Sequence, residues 1–178
     1  MIRGNMNLNL NHYLVEKKSA ILKKWFDAVV ETYPNETSTF LRKQKAQFTN
    51  PVGYTLSEGI EHLFDALLQG MIPDTVSRFL DSIIRIRAIQ EFSPSEAVSF
   101  IFQLKKVVRQ ELGKEILDQQ GIAEELAVFE SAVDDLALFS FDLFMKCREK
   151  IYELKANEAK NMTFRLLQQA RLIVDNQD

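Results

Sequence analysis

The chain has 178 residues, a net charge of −3 and 46% hydrophobic residues, 13 of its residues being phenylalanine. This composition supports one domain with its own core and excludes a general electrostatic affinity for nucleic acid or anionic lipid. A single cysteine, Cys147, excludes an internal disulfide and fits a reducing compartment.

The opening MIRGNMNLNLNHYL has one basic residue and no apolar stretch, unlike a secretory signal. No uncharged apolar run is long enough to span a bilayer, so no membrane insertion is expected and the expected location is cytoplasmic. No strand-like alternation or hairpin signal occurs, whereas 3.6-residue periodicity recurs throughout. The expectation is an all-α helical bundle.

The first helix is predicted over residues 8–33, stopped by Pro34. Leu14, Ile21, Leu22, Trp25, Phe26, Val29 and Tyr33 form its apolar face. A short helix follows near 38–44. Asn50-Pro51-Val52-Gly53 then reads as a loop, with Thr55 and Glu58 spaced as a capping box for the next helix. That helix buries Leu56, Ile60, Leu63, Phe64 and Leu67. After Gly70 and Pro73 a helix is predicted over 74–91. Ser93-Pro94-Ser95-Glu96 marks a sharp boundary: Ser93 suits the N-cap, Pro94 the first helical position, and Glu96 closes the box. The helix it opens is expected to end near Gly113.

Beyond Gly121 there is no further glycine or proline. A single helix over residues 122–178 would reach roughly 85 Å. A domain of this length has a radius of gyration of about 16 Å. Residues 122–144 carry six acidic and no basic residues, while 145–172 carry seven basic and three acidic, a distribution that suits one continuous helix dipole. The apolar stripe runs through Ile122, Leu126, Phe129, Val133, Leu136, Phe144, Cys147, Ile151 and Leu154. Residues 136–145, LALFSFDLFM, are apolar on nearly every side and are expected in the core. Past Leu154 the stripe weakens, because Glu158 falls on it, and then resumes at Met162, Leu166, Ala170 and Ile173. Two units are therefore expected: a core over 1–144 and a protruding helical extension over 145–178. The interface residues are expected to be Ile151, Leu154, Met162, Leu166 and Ile173.

Catalytic chemistry has little to stand on. A di-iron bundle needs paired Glu-x-x-His motifs, and neither His12 nor His62 has a glutamate three residues before it. His62 falls opposite the apolar face of its helix, which fits a solvated residue and not a haem ligand. Cys147 lies on the apolar stripe as an inert thiol. No nucleophile elbow, P-loop or dinucleotide glycine pattern occurs. No catalytic residue, metal ligand or cofactor is expected, and the chain is read as a non-enzyme.

Arg87 is anomalous. It projects onto the middle of the apolar face set by Val76, Phe79, Leu80 and Ile83, with Gln90 beside it. A guanidinium there needs an acceptor. Three readings remain: an internal ion pair or carbonyl caps, an anion or carboxylate site formed by Arg87 and Gln90, or a snorkelling side chain. Arg85 points the opposite way, with Asp81 as its partner.

Asn50-Pro51-Val52-Gly53, SEGIEHLFDALL (57–68) and FLDSIIRIRAIQEFSPSEAVSFIFQLKKVVR (79–109) together resemble the N-terminal domain of the RsbT co-antagonist family, RsbRD type. The resemblance covers most of residues 10–150, and IRIRAIQEFSPSEAV is its most specific stretch. In form it is similar to the stand-alone members of sulfate-reducing bacteria. The resemblance implies a globin-like sensory domain without haem or catalytic residues, related to stressosome signalling. Relatives carry it ahead of a STAS, kinase or transcriptional output domain and are often dimers joined by a helix leaving the domain. This sequence ends at Asp178 without an output domain, so a signal is expected to pass to a separate protein partner. The leading expectation is a homodimeric regulatory module. The alternatives are an assembly factor for a metabolic complex and a small-anion-binding helical protein.

Overall fold

Among the described residues the chain forms seven helices and no strand, as the periodicity predicts. The computed structural model describes residues 9–43, 48–70, 74–90 and 92–170. Expectations that fall on Leu8, Gln44, Pro73, Glu91, Ile173 and the side chain of Val76 lie outside them. The elements are α1 (Leu10–Glu16), α2 (Lys18–Val30), α3 (Asn35–Lys43), α4 (Pro51–Leu68), α5 (Asp74–Ile89), α6 (Pro94–Leu117) and α7 (Ile122–Gln169).

The single helix expected over 8–33 is divided at Lys17, whose φ and ψ are −92° and 5°. Hydrogen bonds still run through the bend, from Lys17 N–H to Tyr13 C=O and from Ile21 N–H to Lys17 C=O. No breaker residue marks it. The bend is set by packing: α1 touches α6 and α7 as well as α2, and buries Leu10 and Leu14.

The Asn50–Gly53 quartet is a helix start and not a loop. Asn50 Oδ1 accepts the Gly53 N–H at 2.8 Å, and Asn50 Nδ2 donates to the Leu41 carbonyl at 3.1 Å. One buried side chain therefore caps α4 and ties it to the end of α3. Pro51 takes a first-turn position, where its missing N–H costs nothing. Thr55 and Glu58 lie inside α4, so their spacing is not a cap. Further along, a Cβ on Gly59 would stand 2.6 Å from Ile83 Cδ1. Glycine at 59 is what lets α4 and α5 approach so closely.

The box at Ser93 forms as expected. Ser93 accepts the Glu96 N–H, and the Glu96 carboxylate accepts the Ser93 N–H at 3.0 Å. Gly113 interrupts α6 with φ 70°, and one further turn follows it to Leu117. Gly121, at φ 87°, reverses the chain into α7, whose first turn carries Glu124 and Glu125.

Trp25 is at the centre of the core, fully buried and stacked on Phe100 at 6.4 Å, with its Nε1–H donating to the Phe100 carbonyl at 2.7 Å. Phe64 meets Phe129 edge-on at 6.5 Å. From α7, Ile122, Leu126, Phe129, Val133, Leu136, Ala137 and Phe144 complete the core. Burying each large apolar side chain contributes roughly 1.5–3 kcal/mol. On the surface, Lys105–Asp134 (2.6 Å) and Arg109–Glu130 (2.6 Å) link α6 to α7. Such exposed pairs fix register more than they add stability.

Candidate functional site

Helix α7 is 48 residues long, about 72 Å, and only its first part rests on the body. Cys147 and Ile151 are the last of its side chains packed on the core. Arg148 ties this part of the helix to the body. Its Nη1 donates to the Ala88 carbonyl near the end of α5 (3.1 Å), its Nη2 donates to the Tyr152 hydroxyl (2.5 Å), and its guanidinium sits 4.8 Å from the Tyr152 ring. Every residue over 152–166 is exposed. A lone helix this short is marginal in water, whereas this one propagates from turns that the body already holds.

The stretch 136–145 departs from its expected place in the core. Leu136, Ala137, Ser140 and Phe144 point inward, but Leu138 is 67% exposed, and Phe141 and Met145 face out beside it. Apolarity on every side of this segment therefore marks two faces, one against the body and one uncovered. The uncovered face continues along the helix. Leu138, Met145, Tyr152, Ala159 and Leu166 recur every seven residues, with Phe141 and Met162 three positions after Leu138 and Ala159. A seven-residue apolar repeat is the pattern by which helices pack in pairs. This seam lies about a third of a turn around from the buried stripe. Its members in 136–145 were hidden from a sequence reading, although the seven-residue spacing is the signal that finds them.

The expected interface residues separate accordingly. Ile151 is partly buried against its own core, whereas Leu154 continues the buried stripe into solvent. Met162 and Leu166 are exposed, and Leu166 belongs to the outer seam.

Arg87 is completely buried, and Gln90 sits in the exposed turn after α5, so the two do not share a pocket. Arg87 Nη2 donates to Thr32 Oγ1 (2.8 Å) and to the Glu96 carbonyl (3.2 Å). Its guanidinium carbon stands 4.3 Å from the Phe92 ring centroid, 5.3 Å from Phe100 and 5.4 Å from Tyr33. Among the described residues no carboxylate pairs with it directly. Burial pushes its pKa down, against the pull of Tyr33 and Glu96. Burial likewise pushes the Tyr33 phenol up. The Tyr33 hydroxyl interacts with the guanidinium electrostatically but makes no well-formed hydrogen bond, and Arg87 Nε and Nη1 also lack acceptors. The cation is thus held by carbonyl and hydroxyl caps and by aromatic faces. Arg85 pairs with Asp81, as its spacing predicts.

His62 is exposed and stacks on Phe79 at 3.9 Å. Partial burial raises the Cys147 pKa, which disfavours a reactive thiolate. Among the described residues no cluster has the makeup of a metal site, and no helix is long and apolar enough to cross a membrane. A cleft of about 530 Å³ between α2, α3 and α4 combines apolar Leu22, Phe26 and Ile60 with Lys23, Arg42 and Glu58. Three of the charges lining it are engaged: Arg42 by Asp27 and Glu31, Glu58 by the Tyr54 hydroxyl, and Glu61 by Lys18.

No solved structure matches the chain. A protein of Archaeoglobus fulgidus described as uncharacterized is 29% identical over 107 residues, covering 58% of this chain and 66% of that protein. The chain thus spans just under two thirds of that relative's length. The family profile described as the RsbT co-antagonist protein RsbRD N-terminal domain matches residues 19–159, which takes in every core helix from α2 to the exposed part of α7. The chain belongs to the RsbT co-antagonist RsbRD N-terminal domain family, a regulatory domain type.

Proposed function

We propose that the chain is a non-enzymatic regulatory module that acts through protein contact, with the outer face of α7 as its interaction element and a second copy as its first partner. Residues 1–144 form the regulatory body and 145–178 the extension that carries the contact. One observation carries this reading: a helix continuous with the core runs exposed over 152–166 while keeping a seven-residue apolar seam. Family membership supports a regulatory role related to stressosome signalling, and by the same kinship a cytoplasmic setting. In this mechanism a bound protein or ligand shifts the balance between paired and unpaired states of α7, and that balance is the output. A constitutive assembly factor would use the same surface but keep one state throughout.

Light scattering coupled to size exclusion tests the reading on the full chain and on a chain ending at Leu154. A dimer that becomes a monomer on truncation is the expected result. A monomer in both cases, or an unchanged dimer after truncation, overturns self-association through the distal helix.

A further inference from the structure

Resting on the self-association reading above, we propose that two copies pair along α7 in opposite directions. The basic distal half of each helix then lies along the acidic proximal half of the other.

The two halves of α7 carry opposite charge. Residues 122–144 hold six acidic and no basic residues, and 145–169 hold six basic and three acidic. Within the proximal half, Glu125 accepts the Leu10 N–H, while Glu130 and Asp134 are joined to Arg109 and Lys105. Glu124, Asp135 and Asp142 remain exposed on the outer side, next to the seam. The distal half presents Lys146, Lys160 and Arg165 to solvent.

A parallel pair would set each half beside its own copy, acid against acid and base against base, which is unfavourable across a helix seam. An antiparallel pair crossing near Met145, the midpoint of the helix, removes that conflict. Lys146 comes level with the partner's Asp142 within about one turn, and Lys160 with the partner's Asp135 within about one and a half turns, all four being exposed on the same flank of the seam. Along the seam, Leu138 comes level with the partner's Tyr152, and Ser131 with the partner's Ala159. The outer face of the proximal half is open to receive a second helix, because Ala127, Ser131, Leu138, Phe141 and Asp142 are all exposed there. The distal half, exposed over 152–166, gains a surface to lie against.

A distance measurement separates the two directions. Asn161 is exposed and takes no part in the seam. A spin label at Asn161→Cys, in full-length protein carrying Cys147→Ser, is read by pulsed electron resonance with light scattering run alongside. Antiparallel pairing places the two labels about 48 Å apart along the axis. Parallel pairing places them within about 25 Å, from an interaxial distance of 8–10 Å plus the label arms. A dimer with the short distance overturns the direction but leaves self-association standing, whereas a monomer overturns both. A second test needs no label. Lys146→Glu with Lys160→Glu weakens dimerisation about tenfold or more, and adding Asp135→Lys with Asp142→Lys to the same chain restores it. Failure to restore it overturns the proposal.

Discussion

The proximal and distal parts of α7 form one helix, with no glycine, proline or cap between them, yet they obey different rules. Up to Ile151 the helix is held by burial: Phe129, Val133 and Phe144 are embedded in a core shared with α4, α5 and α6. Over 152–166 every residue is exposed. Continuity of the backbone hydrogen-bond ladder is therefore not continuity of stabilisation. The first part is a structural wall of the domain, and the second is a surface offered to something else.

The sharpest way to break this contrast is a pair of equivalent truncations. Phe144→Ala removes a fully buried ring and should cost about 3–5 kcal/mol in a denaturant titration. Leu154→Ala, in protein dilute enough to be monomeric, should stay within about 0.5 kcal/mol of the parent. Equal losses at the two sites would show that the distal helix is packed within its own chain.

Charge gives a second contrast, because the body buries Arg87 while Lys160 and Arg165 of the distal helix are exposed. Arg87→Ala leaves a cavity among the Tyr33, Phe92 and Phe100 rings, so it should destabilise the protein by about 3 kcal/mol or more. Arg87→Met keeps much of the volume and removes the desolvation cost, and should be neutral or stabilising by about 1–4 kcal/mol. Thermal or denaturant melts of the two variants decide this. A parent-only rise in melting temperature with added anion would give the buried guanidinium a ligand.

The smallest effect concerns the start of α6. The Ser93 hydroxyl and amide hold the Glu96 carboxyl below the usual carboxylate range, and Arg87 adds to this. A depressed folded pKa contributes stability that is present above the unfolded value, about 4.3, and is lost as pH falls through the folded one. Glu96→Gln keeps a capping side chain but cannot titrate, so its acid limb below about pH 4 should be flatter than the parent's. Superimposable acid limbs would show that this carboxylate adds nothing to acid sensitivity.

Local chemistry made part of the fold legible in advance. Ser93 and Glu96 announce a helix start because both partners of the box lie within one turn. Gly121 announces a reversal because no nearby residue type tolerates its φ as well. Arg87 was visible as a buried cation because its neighbours at helical spacing are apolar. Other features depend on contacts between distant segments and left no local mark. Lys17 bends the first helix because α1 must reach α6 and α7. Asn50 acts as a cap because Leu41 offers its carbonyl. Gln90 turns outward because α5 ends one residue before it. The outward half of LALFSFDLFM was misplaced for a different reason: an apolar residue reads the same whether its partner is its own core or another molecule.

The enclosure of Trp25 has a practical consequence for anyone following this protein in solution. It is the chain's one tryptophan, sealed beneath α6 and far in sequence from the distal helix. Its emission is therefore a reporter of the body alone: blue-shifted, poorly accessible to acrylamide, and blind to fraying beyond Ile151. Ellipticity at 222 nm counts every helical residue, exposed or not. Where the two signals melt apart, the gap between the curves reads the state of the free half of α7 directly.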